Sequence, residues 1–314
     1  MEYKGVVENR VSNYLDFDKL IDTSSFQNLT QSWARTYQEK LCLRYFENDW
    51  QDRTYHEFKA EVFKLSRFFV KKNLSGEKIL ILSESRPEVL SLYFACFSAN
   101  ATSVPVDVKL SPQEVAYIIN DTEPALVFVT SDQYELLKGA SAFVNFDIKV
   151  IGINRIEDLY FMGDIPDFVD INLPEEDTQR TGMIIYTSGS TGKMKGVETK
   201  GAQLLFQIHA LLRVGLAQFP ETNFSMLPMN HLFEVSGTIA CLSAGFSICV
   251  AHSLEKEDMG LCFQKHKPTQ IFSVPLFCKS IMNGIKITID DSPLPKKIVF
   301  KILMFLSRTF PIKS

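Results

Sequence analysis

Between residues 78 and 153 a short apolar run, unbroken by polar alternation, appears four times. The runs are "KILIL" (78–82), "SVPVD" (103–107), "ALVFVT" (125–130) and "KVIGI" (149–153). A strand with one wet face alternates apolar and polar residues, so runs that do not alternate belong to strands covered on both faces. Helix starts lie between and before them. "TYHE" offers Thr54 as a cap with Glu57 reaching back, and Tyr55, Phe58, Val62, Leu65 and Phe69 then form one stripe. "SRPE" (85–88) repeats the cap signal with Pro87 in the first turn. "LSPQEV" places Ser111 as cap, Pro112 first in the helix, Glu114 closing the box and Leu110 stapled to Val115. A further helix is expected from Asp132 to about Leu137. Later strands are expected at 183–187, 223–228, 247–251 and 269–274. The expected class is α/β, with layered sheets covered by helices. Residues 1–153 form a first α/β half, 154–181 a connection rich in Asp, Glu and Pro, and 182–314 a second α/β half.

The composition, 46% hydrophobic and 22% charged over 314 residues, is that of an ordered globular chain. A net charge of −4 gives no general attraction to nucleic acid or anionic membranes, so a phosphate ligand must be recognised locally. Six scattered cysteines without a C-x-x-C pair fit a reducing compartment. The N-terminus lacks the apolar stretch of a signal peptide, and no stretch reaches the roughly 18 apolar residues of a membrane span. A soluble, cytoplasmic protein is expected. The tail "KKIVFKILMFLSRTF", punctuated by Lys296, Lys297, Lys301 and Arg308, reads as a helix awaiting a packing partner, with peripheral membrane contact as the alternative.

"YTSGSTGKMKGVETK" (186–200) follows a buried strand and precedes a second extended piece, "GVET", with a helix only after Gly201. A Walker loop would be G-x-x-x-x-G-K-[ST] running directly into a helix; here Gly189 and Gly192 are three apart and Met194 follows Lys193. The chemistry is related nonetheless. Glycines let successive N–H groups turn toward one anion, the hydroxyls of Thr187, Ser188, Ser190 and Thr191 add donors, and Lys193 and Lys195 add charge. A solvated linker is the competing reading of a Ser/Gly/Thr run.

This stretch resembles the signature of the adenylate-forming (AMP-binding) superfamily, Tyr-Thr-Ser-Gly-Thr/Ser-Thr-Gly-x-Pro-Lys-Gly-Val, with Met194 where Pro is usual. Further segments in matching order are "RTYHEF", "SRPEVLSLYFACFSANATSVPVD", "LSPQEVAYIINDTEPALVFV", "LPMNHLFEVSG" and "FSVPLFCKSIMNGI". The last two are similar to those of long-chain acyl-CoA synthetases.

The resemblance implies ATP-dependent activation of a carboxylic acid, a fatty acid for the long-chain group, to an acyl-adenylate and then acyl-CoA. ATP, Mg²⁺ and CoA are the implied cofactors; an acyl-carrier protein as thiol partner, or an acyl-AMP product, stays open. Thr187, Ser188, Gly189, Ser190, Thr191, Gly192, Lys193 and Lys195 would hold the β- and γ-phosphates. His231 would act beside the reacting carboxylate, with Phe233 lining the acyl tunnel. His231 and Glu234, three apart with no third ligand, do not make a zinc set, and no metal residue is assigned. The aromatic-Gly-x-Thr-Glu and Thr-Gly-Asp elements and the lysine-bearing C-terminal domain of that superfamily are not found. Residues 1–314 therefore read as a partial N-terminal AMP-binding domain, expected to be inactive alone, marginally stable and self-associating. The contrasting readings are a non-catalytic remnant with residual nucleotide or lipid binding, and a Walker-type NTPase.

Overall fold

The computed structural model describes residues 21–47, 49–188, 194–213, 222–251, 255–293 and 300. Two compact units divide the chain, Met1–Phe272 and Ser273–Ser314. The first begins with α1 (Phe26–Tyr37), β1 (Leu41–Glu47), β2 (Asp49–Thr54) and α2 (Tyr55–Lys71). It continues as β3 (Lys78–Leu82), α3 (Pro87–Ser98), β4 (Thr102–Val106), α4 (Pro112–Thr122), β5 (Leu126–Val129), α5 (Tyr134–Ser141), β6 (Val150–Gly152) and β7 (Tyr160–Phe161). After the connection come β8 (Thr181–Ser188), β9 (Met194–Lys200), α6 (Gly201–Arg213), β10 (Thr222–Ser225), α7 (Leu232–Ser243), β11 (Ser247–Val250), α8 (Lys256–His266) and β12 (Gln270–Ile271). The second unit holds α9 (Pro275–Asp290), which starts on a proline after extended Val274.

Local chemistry explains the helix starts. Both expected capping boxes form: the side chains of Thr54 and Ser111 each accept an N–H from the glutamate three residues on, whose carboxylate returns to the cap's own N–H. The cap expected from Ser85 does not form. Arg86 occupies the cap position of α3 without a side-chain bond, because the Ser85 hydroxyl instead accepts from the Met229 N–H at 3.0 Å.

Two sheets result, ordered β7-β6-β5-β3-β4-β8-β9 and β12-β10-β11-β1-β2. All neighbours run parallel except β8–β9 and β1–β2. Pleating sends Ile79 and Ile81 of β3 to one core, shared with Leu43, Tyr45, Ile248 and Val250 of the other sheet, and Leu80 and Leu82 to a second core under α4 and α5. Helix α3, buried along all twelve residues, touches β1 of one sheet and β4 and β8 of the other. It needs no polar face because protein covers it all round. On the far side of the five-stranded sheet, Phe263 of α8 packs on Phe224 of β10 with ring centroids 5.0 Å apart. The layers thus run helix, sheet, helix, sheet, helix.

Close packing at the join of β8 and α3 is sharp enough to test. A Cβ on Gly182 would lie 2.1 Å from the Phe97 ring, which is itself stacked on Phe26 at 3.9 Å. Gly182→Ala is expected to cost about 1–3 kcal/mol, the usual range for overpacking, read as a lowered urea midpoint with unchanged slope.

Candidate active-site cleft

Both sheets reverse direction in the same way. From β3 the chain crosses through α3 on the inner face to β4, then through α4 on the outer face to β5, on the other side of β3. From β10 it crosses through α7 to β11, then through α8 to β12, on the other side of β10. Connections that leave neighbouring strands on opposite faces open a crevice at their carboxyl ends, where ligands of open α/β sheets bind. Here the two crevices face a single cleft of about 290 Å³, lined by residues 83–85 after β3, 106–109 at and after the end of β4, Met226, Pro228, Met229 and Asn230 after β10, and Ala251 after β11.

Hydrogen bonds fix its walls. The Tyr93 hydroxyl donates to the Met229 carbonyl at 2.9 Å, and with the Ser85 contact this ties the wall after β10 to α3 and to the loop that leads into it. Glu84, Asp107 and Lys109 supply charge, and Asn230 presents an Oδ1 with no hydrogen-bond partner among the described residues.

Behind the cleft lies a charged network. Arg86, whose side chain is 4% exposed, pairs with Glu88 at 2.7 Å, Glu47 at 3.2 Å and Glu84 at 3.5 Å, and stands 5.2 Å from the Tyr45 ring. Arg53 pairs with Glu61 at 3.1 Å and also with Glu88. Thr130 donates to Glu84 at 2.7 Å, and Asn154 to Glu47 at 3.4 Å. The network links the carboxyl ends of β1, β3, β5 and β6, so it joins the two sheets at the edge that carries the cleft. Burial opposes ionisation of Glu88, but Arg53 and Arg86 overcome it and hold the carboxyl down at about 2.

The signature stretch opens at this same edge. β8 runs parallel to β4, so Ser188 ends at the edge where residues 106–109 begin. Thr187 and Lys195 are register partners on β8 and β9, and both are exposed. A hydroxyl and an ammonium presented together suit an anion. Gly189, Ser190, Thr191, Gly192 and Lys193 lie outside the described residues, as do Lys296, Lys297, Lys301 and Arg308 of the tail. His231 is the exposed N-cap of α7, one residue beyond the cleft wall, with no side-chain cap bond. Phe233 is 54% exposed, its ring edge-on to Phe272. The structure therefore brings Thr187, Ser188, Lys195 and His231 to the carboxyl edges of the two sheets. Among the described residues, no cluster of three His, Cys, Asp or Glu could hold a metal ion, and no helix is long and apolar enough to cross a membrane.

The profile of the AMP-binding enzyme family matches residues 30–299. The chain belongs to that family. Among relatives of this AMP-binding chain, the 2-succinylbenzoate–CoA ligase of Bacillus pumilus is 23% identical over 254 residues, covering 79% of this chain and 48% of that protein. The D-alanine–D-alanyl carrier protein ligase of Staphylococcus aureus is 25% identical over 221 residues, covering 69% and 41%. The chain thus spans about half the length of the curated relatives it matches. A long-chain-fatty-acid-CoA ligase from Archaeoglobus fulgidus superposes with a TM-score of 0.74 at 19% identity, covering 87% of this chain and 55% of that one.

Sequence reasoning missed Ser85, Tyr93 and Asn230 as cleft-forming residues. The unpaired polar residue in "LPMNH" was the available signal for Asn230. Glu234 was weighed only as a metal ligand, yet it is fully buried one turn into α7 of this AMP-binding chain. Burial raises its carboxyl to about 7, and the Thr238 hydroxyl, donating to Oε1 at 3.3 Å, recovers only part of the loss. Between pH about 4.5 and about 7 the unfolded chain ionises Glu234 while the folded chain keeps the proton, so stability falls as pH rises through that window. Glu234→Gln is expected to remove this fall, seen as urea midpoints at pH 5 and pH 7.5 that lie closer together than in the unaltered protein.

Proposed function

We propose that the chain supplies the nucleotide- and acid-binding wall of an ATP-dependent acid–thiol ligase whose acid is a fatty acid. The observation that carries this reading is the convergence of two switch-point crevices, the end of β8 and the start of α7 on one edge. MgATP is the nucleotide substrate, with Thr187, Lys195 and the glycine-rich segment between them receiving its β- and γ-phosphates. The carboxylate oxygen attacks the α-phosphorus, the bond to the β-phosphate oxygen breaks, and pyrophosphate leaves. A thiol, from CoA or a carrier protein, then attacks the acyl carbon and expels AMP. The first half asks little covalent work of the protein: it needs the reactants held in line and the phosphate charge neutralised. The Lys195 ammonium serves the second need. His231, exposed at the start of α7, is the residue we assign to the acid's carboxylate, and Phe233 would offer apolar surface to its chain.

Fatty acid is favoured over aromatic or amino acids by the "LPMNHLFEVSG" segment, similar to that of long-chain synthetases. The test is ATP–pyrophosphate exchange with palmitate, 2-succinylbenzoate and D-alanine in turn, alongside direct titration of MgATP. Exchange dependent on palmitate supports the reading, and exchange with another acid reassigns the substrate. MgATP binding without exchange leaves the chain a nucleotide-binding part, and no binding at all overturns the proposal.

A further inference from the structure

Two residues one turn apart on α4 reach the two strands that flank the signature stretch. Tyr117 donates its hydroxyl to the carbonyl of Met194, the first residue of β9, at 3.3 Å. Asp121 accepts the hydroxyl of Tyr186, two residues before the end of β8. The strand register sets these contacts around one pair: Tyr186 faces Gly196, Thr187 faces Lys195, and Ser188 faces Met194.

The pleat separates anchor from display. Ile184, Tyr186 and Met194 pack with the outer core under α4, so Thr187 and Lys195, one residue out of phase, belong to the opposite face. Gly196 makes room for this arrangement. A Cβ there would lie 2.9 Å from Ile184 Cγ2 and 3.2 Å from the Tyr186 ring, so only glycine lets that ring lie across β9 as it reaches Asp121. Tyr117 is itself 42% exposed. A half-exposed tyrosine adds little to the core, and its hydroxyl is committed to the end of β9.

We propose that Tyr117 and Asp121 are positioning residues for phosphate binding, fixing the ends of β8 and β9 and so the spacing at which Thr187 and Lys195 meet a triphosphate. The inference rests on the phosphate-holding role proposed above. A donor pair held at fixed spacing loses less freedom on binding than one on a loose hairpin.

Three conservative changes test it: Tyr117→Phe, Asp121→Ala and Tyr186→Phe. Each is read by amide hydrogen exchange over residues 181–200 and by titration with a fluorescent ATP analogue plus Mg²⁺. Each change is expected to speed exchange at the strand ends and weaken nucleotide affinity, both by about tenfold, while exchange in β3 and β5 stays as in the unaltered protein. Asp121→Ala and Tyr186→Phe remove the same contact, so the double variant should lose no more affinity than either alone. Unchanged exchange, or faster exchange with unaltered affinity, overturns the positioning role, as would additive losses in the double variant. An unaltered chain that fails to bind the nucleotide overturns the phosphate reading itself, while the exchange arm still reports whether the anchor exists.

Discussion

Replacing Arg86 by alanine is expected to lower stability by about 3–5 kcal/mol, the range for removing one partner from a buried ion pair. The size follows from what remains. Glu88, with a side chain only 12% exposed, keeps Arg53 alone, while Glu47 and Glu84 lose their shared cation at the junction of the sheets. Loss of the guanidinium over the Tyr45 ring adds to the cost. Equilibrium urea unfolding at pH 7 measures the change. The acid limb gives a second readout. The Glu88 carboxyl, held at about 2 against an ordinary 4.5, contributes stability that is present above pH about 4.5 and lost as pH falls toward about 2. In Arg86→Ala that limb should shrink, because part of the depression is gone. A variant as stable as the parent, with the same acid limb, would show that the network contributes nothing net.

In a full-length ligase context, Lys195→Ala is expected to slow acid-dependent ATP–pyrophosphate exchange by about 10²–10³-fold, the scale for removing one preorganised electrostatic contact to developing charge. Thr191→Ala should fall in the same direction by less, since a hydroxyl carries no net charge. The split between constants is informative. A loss confined to KM for MgATP means that Lys195 holds ground state and transition state equally, whereas an equal fall in kcat and kcat/KM means that its contact tightens as pyrophosphate departs. Exchange at the unaltered rate in both variants would remove the phosphate role from this stretch.

The parts legible in the sequence were those set by short-range rules. Thr54–Glu57 and Ser111–Glu114 announced their helices because a capping box is a local exchange of two hydrogen bonds, and the non-alternating runs announced β3 to β6 because burial on both faces removes polar residues. β2, "DWQDRT", carried no such mark. It is a polar edge strand, defined by its pairing with β1 rather than by its own composition. Layered sheets were expected, but which strands share a sheet was hidden, since β1 pairs with β11 far along the chain. Within the cleft, the signature segment was readable as chemistry. Arg86 was seen only as the residue before a helix proline, because which carboxylates surround a buried cation is decided by four strand ends that tertiary structure alone gathers.

That distant pairing also has a consequence for how the protein is made. Leu43 of β1 lies beside Ile248 of β11, roughly two hundred residues later in the chain. At ordinary elongation rates of about 5–20 residues per second, the β1–β2 hairpin leaves the ribosome about 10–40 s before the strand that completes its sheet. During that interval α2 and α3 can already cover one face of β1, but its side toward β11 stays an open strand edge, offered to any neighbouring nascent chain.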